Sequence, residues 1–268
     1  MGPKITWTQQ MSVSGLPVGV RRLTAEDLFV VFQPIVEIAT GRTFAQEALV
    51  RCRHPDYPNP PVLFEHAAKE GACGRLGRLI RDIAFRGVED TTLFVNIHPD
   101  ELTSRWLVQP DDPVGFQSRP VHLEITETTA FTHHELCMSV LKELCRRTGA
   151  LLVVDDFGAG YSNLERVVAL EPAIVKLDLA LTRGIHHNKM KQAVVRHMVN
   201  LCKELGSRVV AEGVEEVDEL TCVRDCGVHY AQGYLLARPA FPAPQASWPL
   251  DARRAPKSKR PSRGPKAR

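Results

Sequence analysis

Two adjacent carboxylates, Asp155 and Asp156, follow the apolar run 151–154 and precede a segment that contains two glycines. Such an apolar run is typical of a buried strand, and doubled negative charge at its end calls for a compensating cation. Polar side chains occupy the same place in six other β-rich runs: Glu47, Arg51, Asn96, Glu124, Lys176, Asp178, Glu212 and Gln232. The carboxylate and amide oxygens among them are the ligands that Mg²⁺, Mn²⁺ or Ca²⁺ prefer.

A pair of metal ions would explain the doubled aspartate, because one carboxylate can bridge both ions while its neighbour binds only the second. Two ions about 3.5–4 Å apart promote in-line attack of water on a phosphate ester. Lys176 and Arg51 fit the same chemistry, since cations hold a phosphate or stabilise developing negative charge. These residues therefore predict metal-dependent hydrolysis of a phosphate ester.

The strands that would bring these residues together can be read along the chain. Eight β-rich runs occur, in the order FVVFQPIV, TFAQEALVR, TLFVNIH, PVHLEIT, LLVVDD, AIVKLD, RVVAEGV and YAQGYLL. Segments with helical spacing separate most of them, which predicts an α/β fold, a TIM-like (β/α)₈ barrel. The first connection, EIATGR, is too short for a crossover helix, so the barrel should be irregular, with its first strand antiparallel to the second in a hairpin. Strand ends then meet at the carboxyl-terminal rim, where barrel active sites lie.

Each candidate residue also has a purely structural interpretation. A single strand-end aspartate such as Asp155 commonly caps a helix or forms a turn. Glu212 and Glu215 could be acids at a helix N-terminus, and Lys176 could form a structural ion pair with Asp178. The convergence of five carboxylates from four strands favours a metal site over these separate explanations.

The same residues lie in sequence blocks that resemble the EAL-domain phosphodiesterases of bacterial cyclic di-GMP. In chain order the blocks are FQPIV, EALVR, FVNIHP, LEITET, DDFGAGYSNL, VKLD, VAEGVE and QGYLLARP. They extend from about Leu28 to Pro242, and eight blocks in the family's order are far more specific than one short motif. Departures from the family pattern are mild, namely Ala159 for a common Thr, Asn163 for a common Ser, and NIHP for the commoner NLS.

The resemblance assigns roles position by position. It implies that the first metal is bound by Glu47, Asn96, Glu124 and Asp155, and the second by Asp155 with Asp156. In the implied catalytic set of Glu47, Lys176 and Glu212, the lysine orients the attacking water and Glu212 is the general base. The implied substrate contacts are Gln33, Leu49, Arg51, Asp178, Glu215 and Gln232. Glu127 resembles the acid that anchors the loop 157–163, which in the family couples metal binding to dimerisation.

By the same resemblance, the chain is expected to hydrolyse cyclic di-GMP to linear 5′-pGpG as a homodimer. Two Mg²⁺ or Mn²⁺ ions are the implied cofactors, and Ca²⁺ should inhibit. Relatives that only bind cyclic di-GMP usually lack a metal ligand, whereas all are present here, so an enzyme is favoured over a catalytically inactive receptor. A metal-dependent barrel enzyme of the enolising or aldol type should lack both the doubled aspartate and the glycine-containing loop.

Composition predicts one barrel domain, residues 27–244, between an N-terminal extension, 1–26, and a basic, disordered tail, 245–268. The formal net charge is +3, of which residues 251–268 contribute +7, so the remainder carries −4. The tail offers a weak attraction for nucleic acid or anionic membranes. The extension is too short for a sensor domain and no GGDEF-like cyclase segment is present, which suggests a stand-alone EAL protein.

The cysteines and the apolar runs predict the compartment. Seven cysteines are scattered without a CxxC pair, which favours reduced thiols over a disulfide framework or a zinc site. No apolar run approaches the ~18 residues that span a bilayer, and the N-terminus lacks a signal-peptide core. A cytoplasmic protein is expected.

Overall fold

The computed structural model describes residues 19–102, 107, 109, 111–126, 134–158 and 168–250. Within these residues, strands close a barrel in chain order. The strands are β1 Leu28–Glu37, β2 Arg42–Cys52, β3 Leu93–Asn96, β4 Val121–Thr126, β5 Leu151–Phe157, β6 Ile174–Leu177, β7 Arg208–Ala211 and β8 Tyr230–Ala231. The α-helices are α1 Pro60–Lys69, α2 Cys73–Gly87, α3 Pro99–Leu102, α4 His134–Thr148, α5 Leu179–Thr182, α6 Lys189–Glu204 and α7 Val217–Asp225.

Strand β1 makes the barrel irregular. It runs antiparallel to β2 in a long hairpin and antiparallel to β8, where it closes the ring. Each neighbouring pair from β2 to β8 is parallel. The predicted (β/α)₈ barrel with an antiparallel first strand is therefore confirmed. Gly41, in the hairpin turn, has a φ of +69°, and an added Cβ would lie 2.6 Å from the Trp248 ring, so only glycine fits this turn.

Local sequence signals explain where the main helices begin. Asn59 accepts a hydrogen bond from the backbone N–H of Val62 and precedes two prolines at the start of α1. Asn188 accepts from the N–H groups of the residues two and three positions on, at the start of α6. Asparagine is a preferred N-cap, and proline in the first turn gives up an N–H that would be unpaired anyway. These caps orient the helices that pack around the barrel.

Two apolar clusters of the described residues lie on opposite sides of the barrel sheet. The larger core lies between the sheet and the helices and includes Leu123, Leu141, Val175 and Leu220. A smaller cluster lies apart from it, consisting of Ile35, Ala45, Phe94, Val153, Ile174, Val210 and Tyr230. Because its members alternate along their strands with residues of the larger core, the smaller cluster fills the barrel interior.

Both ends of the described chain pack against the barrel. Val20 and Leu23 are buried with residues of α1 and α2. Ala246, Trp248 and Leu250, which lie in the predicted tail, pack partly buried against the larger core. Residues 251–268, which hold the tail's basic charge, lie outside the described residues, so the domain bounds stay a prediction. No helix in the described ranges is both long and apolar enough to cross a membrane.

Candidate active site

The polar residues at the strand ends form one layer across the barrel interior. Side chains alternate along a strand, so residues two apart face the same way. The apolar and polar members of this interior row are Ala45 and Glu47, Phe94 and Asn96, Val153 and Asp155, Ile174 and Lys176, Val210 and Glu212, and Tyr230 and Gln232. The barrel therefore carries an apolar floor, with a polar layer above it at the carboxyl-terminal rim.

Lys176 lies at the centre of this polar layer. Its Nζ is 2.6 Å from Glu212, 2.8 Å from Glu124, 3.2 Å from Asp155 and 3.5 Å from Glu47. The lysine side chain is 1% exposed, so these charges interact with little screening by water. The strand-end carboxylates that the sequence predicts to converge are thus brought together around one buried cation.

Amide side chains connect the carboxylates to each other. The Asn96 amide donates to Glu124 at 3.2 Å and weakly to Glu47 at 3.4 Å. The Gln232 amide donates to Glu47 and to the Gln33 side-chain oxygen. Of the predicted metal-site residues, Glu47, Glu124, Asp155 and the Asn96 amide therefore form one connected network, and Gln33 and Gln232 extend it toward β1.

Asp155 and Asp156 share this site because β5 is distorted. The register with β6 shifts between Val154 and Phe157, and Asp156 has a φ of +57°. Adjacent residues of a regular strand face opposite sides, whereas a bulge re-aims one of them. Oxygens of Asp155, Asp156 and Glu212 consequently all lie within 4.8 Å of one another. The backbone strain at Asp156 is typical of functional sites.

Burial and crowding shift the ionisation of the cluster. Burial, with Glu47 and Asp155 nearby, raises the pKa of Glu124 well above its ordinary value. Burial and the Asp155 and Glu47 carboxylates together raise the pKa of Glu212 to about 8, against the opposing effect of Lys176. Burial would lower the pKa of Lys176, but the surrounding carboxylates outweigh it and raise the pKa well above the ordinary value. The cluster therefore holds more negative charge than one lysine can balance.

The donor set fits hard divalent cations. Among the described residues, the cluster offers five carboxylates and one amide around a single lysine, with neither histidine nor cysteine among the ligands predicted for it. The buried Oε1 of Glu124 has no well-aligned hydrogen-bond donor, although the Lys176 Nζ is 2.8 Å away. Oxygen ligands with surplus negative charge suit Mg²⁺, Mn²⁺ or Ca²⁺. Glu47, Asn96, Glu124, Asp155 and Asp156 are the residues placed to hold them.

Two cavities open beside the cluster and meet at Glu47 and Leu49, which line both. One, of about 550 Å³, is lined mainly by apolar groups, with Arg51 and Phe64 on its wall. The other, of about 390 Å³, includes Gln33, Glu212, Glu215 and Gln232 in its lining. All the predicted substrate contacts except Asp178 therefore line a cavity next to the carboxylates.

Asp178 and Glu127 do not join the cluster in the described structure. Asp178 caps helix α5 by accepting the N–H of Ala180 at 2.7 Å, whereas Lys176 makes its ion pairs with the interior carboxylates. Glu127 and residues 159–163 of its partner loop lie outside the described residues, so the predicted loop anchor stays a prediction.

Several residues of the site have no counterpart among the sequence predictions. Leu179, Arg183 and Tyr234 line the smaller cavity, and Arg183 pairs with Glu215 at 2.6 Å. Glu219, 3% exposed, accepts backbone N–H groups from Gly184, Glu215 and Glu216. Its spacing of three residues from Glu216 is the capping-box signal that could have found it.

Comparison with known proteins identifies the family. A profile of the EAL domain matches residues 20–239. The chain belongs to the EAL domain family. Its EAL domain is 30% identical over 238 residues to cyclic di-GMP phosphodiesterase PA2567 of Pseudomonas aeruginosa, covering 84% of this chain and 40% of that protein. It is likewise 30% identical over 239 residues to cyclic di-GMP phosphodiesterase PdeR of Escherichia coli, covering 84% and 36%. The chain thus spans less than half the length of these curated relatives.

Solved structures extend the similarity. BlrP1 of Klebsiella pneumoniae, in a complex with manganese and cyclic di-GMP, is 32% identical with a TM-score of 0.71, covering 87% of this chain and 60% of that one. A calcium and cyclic di-GMP complex of BlrP1 is 31% identical with a TM-score of 0.66, covering 86% and 59%. This chain therefore shares its EAL barrel fold with BlrP1, whose structures are complexes with manganese or calcium and cyclic di-GMP.

Proposed function

We propose that this EAL domain hydrolyses cyclic di-GMP to linear 5′-pGpG with the help of two Mg²⁺ or Mn²⁺ ions. The observation that carries the proposal is the surplus of buried carboxylates around Lys176. Such a surplus is unstable without added cations. Glu47, Asn96, Glu124 and Asp155 would hold the first ion, and Asp155 with Asp156 the second.

The bound ions would supply activation of the attacking water and stabilisation of the leaving oxygen. Lys176 and Glu212 lie 2.6 Å apart at the centre of the layer, so both can contact the same water. Lys176 donates to the water oxygen and orients it, while Glu212, whose carboxylate form the bound cations would favour, accepts its proton as general base. The water oxygen bonds to phosphorus, the bond from phosphorus to the ribose O3′ breaks, and O3′ takes up a proton from solvent. The phosphate stays on the 5′ side, as the product 5′-pGpG requires.

The two cavities beside the cluster support a ligand with two bases. They meet at Glu47 and Leu49, so a cyclic dinucleotide can place its phosphates near the carboxylates and one base on each side. Arg51 lines the larger cavity and Arg183 the smaller, and both cations can approach phosphate or guanine. The predicted contacts Gln33, Leu49, Arg51, Glu215 and Gln232 are proposed to act in this way, and Asp178 from the edge of the site.

The named relatives support the same substrate and metals. PA2567 and PdeR are named cyclic di-GMP phosphodiesterases, and BlrP1 is found with manganese or calcium beside cyclic di-GMP. Inhibition by Ca²⁺, assembly as a homodimer and a cytoplasmic location remain parts of the proposal. Ca²⁺ takes longer bonds and more ligands than Mg²⁺, so it can occupy the cluster while misplacing water and phosphate.

An assay with purified protein distinguishes the enzyme from an inactive receptor. Cyclic di-GMP is incubated with the protein and Mg²⁺ or Mn²⁺, and the nucleotides are separated by chromatography. The proposal expects 5′-pGpG from the wild-type chain and from Asp111→Asn, an exposed acid paired with Arg78. Tight binding of cyclic di-GMP without any linear product would show that the chain is an inactive receptor. Absence of both binding and product would reject cyclic di-GMP as its ligand.

A further inference from the structure

A second group of metal-binding side chain types lies outside the carboxylate cluster. Cys73 is the first residue of α2, His98 lies in the loop after β3, and Asp100 lies in α3. Their ligand atoms all lie within 4.8 Å of one another. The Cys73 Sγ and the His98 Nδ1 are each 3.9 Å from the Asp100 Oδ2. Two segments distant in sequence, the start of α2 and the segment after β3, thus bring a thiol, an imidazole and a carboxylate close together.

The spacing of these atoms is close to what a tetrahedral ion requires. Zinc binds sulfur at about 2.3 Å and nitrogen or oxygen at about 2.0–2.2 Å, which places neighbouring ligand atoms roughly 3.3–3.8 Å apart. The two separations of 3.9 Å to the Asp100 Oδ2 need to shrink by only a few tenths of an ångström, and the thiol and the imidazole lie within 4.8 Å of each other. Cys73 is buried, whereas half of the Asp100 side chain is exposed (54%), so solvent can supply a fourth ligand. Thiolate with imidazole favours Zn²⁺ over Mg²⁺ or Mn²⁺.

Neighbouring groups already hold His98 and the segment that contains Asp100 in place. The His98 ring stacks on Phe64, with centroids 5.3 Å apart and planes within 3°. The backbone N–H of His98 donates to Glu101, which pairs with buried Arg81. The Asp100 N–H reaches the His98 Nδ1 at 3.3 Å, a long hydrogen bond that an ion would replace. Ordered partners of this kind reduce the cost of assembling a metal site.

We propose that Cys73, His98 and Asp100 form a Zn²⁺ site that is separate from the oxygen-ligand cluster of the barrel. Binding releases the thiol proton of Cys73 to solvent, since the thiolate is the ligand. The ion joins the start of α2 to the segment that follows β3. The absence of a CxxC pair predicts no zinc site, whereas this site combines one cysteine with a histidine and an aspartate from a distant segment.

Cobalt tests the site, because a thiolate bound to Co²⁺ gives a charge-transfer absorption band that oxygen ligands do not give. The full chain is titrated with Co²⁺ under reducing conditions and in excess Mg²⁺, which fills the carboxylate cluster. The band should appear in the wild-type chain and vanish in Cys73→Ala. His98→Phe, which keeps the stack on Phe64, and Asp100→Ala should weaken Co²⁺ binding by roughly tenfold or more, since even outer partners of a ligand are worth about 10–100-fold.

Cys222 and Cys226 provide the matched control, because their thiols contact one another at the C-terminal end of α7 and could also bind cobalt through sulfur. The double variant Cys222→Ala/Cys226→Ala should keep the band. Zn²⁺ should also raise the unfolding temperature of the wild-type chain more than that of Cys73→Ala, since an ion that binds the folded state stabilises it. A band that survives Cys73→Ala, or no thiolate band together with no such difference in unfolding temperature, overturns the proposal.

Discussion

Among the described residues, two buried clusters each place one cation among several carboxylates, and the two differ in how fully the carboxylates are paired. In the first, on the outside of the barrel, Arg81 pairs with Glu101 at 2.6 Å and with Asp112 at 2.7 Å. The other Glu101 oxygen accepts the backbone N–H of His98, and the Asp112 Oδ1 accepts both the Arg81 Nε–H and the backbone N–H of Val114. In the second, inside the barrel, Lys176 faces several carboxylates whose oxygens are only partly hydrogen-bonded.

The difference in pairing distinguishes a cluster that stabilises the fold from one that is suited to bind a ligand. The planar guanidinium of Arg81 and nearby N–H groups match the acids that they hold, so this cluster is complete without a ligand. The lysine cluster has more acids than it can neutralise, and it lies at the open end of the barrel. Incomplete compensation is costly in the free protein, and it is the property that a bound cation can relieve.

Substitution in the lysine cluster should produce the largest effect on turnover. Asp155→Asn removes one charge from the crowded cluster, so the fold should survive, and circular dichroism should match wild type. Loss of a ligand placed to reach both ions should lower turnover at least about a thousandfold, or roughly 4 kcal/mol of barrier. Cyclic di-GMP hydrolysis is the measurement, and turnover near the wild-type value would remove Asp155 from the metal site.

Substitution in the arginine cluster should lower the free energy of unfolding. Arg81→Met leaves two buried carboxylates without a cation, which should cost about 3–5 kcal/mol of unfolding free energy. Arg78→Met, one turn away on α2, removes an exposed pair with Asp111 and should cost less than about 1 kcal/mol. Urea unfolding of both variants makes the comparison. Equal losses would show that the arginine cluster is not the structural element inferred here.

Asp156→Asn should separate binding from cleavage. Asparagine tolerates the left-handed backbone at this position, so the bulge of β5 should persist. Loss of the charge weakens the second ion and should lower turnover by about 10–100-fold, or roughly 1.4–2.7 kcal/mol, while Asp155 still holds the first ion. Calorimetric titration with cyclic di-GMP in Ca²⁺ should still show binding. If the variant hydrolyses as fast as wild type, Asp156 only shapes the turn.

Substitution of Glu219 should have the smallest effect of those considered, a pH-dependent loss of stability. This buried acid is stabilised by hydrogen bonds from backbone N–H groups. Burial would raise its pKa, but hydrogen bonds from Gly184, Glu215 and Glu216 outweigh burial and lower it. A carboxyl whose folded pKa is lowered stabilises the protein above its unfolded pKa, and that stability is lost as the pH falls through the folded value. Glu219→Gln should cost about 1 kcal/mol at pH 7. The cost should shrink below about pH 4, and a cost that is constant with pH would contradict this explanation.

Much of the fold and of the interior layer could be predicted from sequence. The spacing of the strands and the short link before β2 were enough to predict the irregular barrel, because parallel strands need long crossover connections and a hairpin does not. The convergence of Glu47, Asn96, Glu124 and Lys176 followed from their places near the ends of strands, because the carboxyl-terminal strand ends of a barrel meet at one rim.

What the sequence did not reveal depends on contacts between distant elements. The bulge that turns Asp156 toward Asp155 cannot be predicted from the residue types in β5, because a one-residue register shift is decided by pairing with β6. The Arg81 cluster joins α2, α3 and a loop, so three ordinary surface-type residues become a buried unit only after folding. For Glu219, the capping-box spacing from Glu216 indicates a role at the start of α7, but the hydrogen bond from the distant Gly184 appears only in the fold.

The most direct test of the lysine cluster as a metal centre is hydrolysis before and after metal removal. The protein is chelated exhaustively, dialysed and assayed with cyclic di-GMP, and Mn²⁺ or Mg²⁺ is then added back. No product should form in the chelated protein, and either ion should restore turnover in wild type but not in Asp155→Asn. Full hydrolysis by the chelated protein would contradict the inference that surplus carboxylates around Lys176 exist to bind catalytic cations.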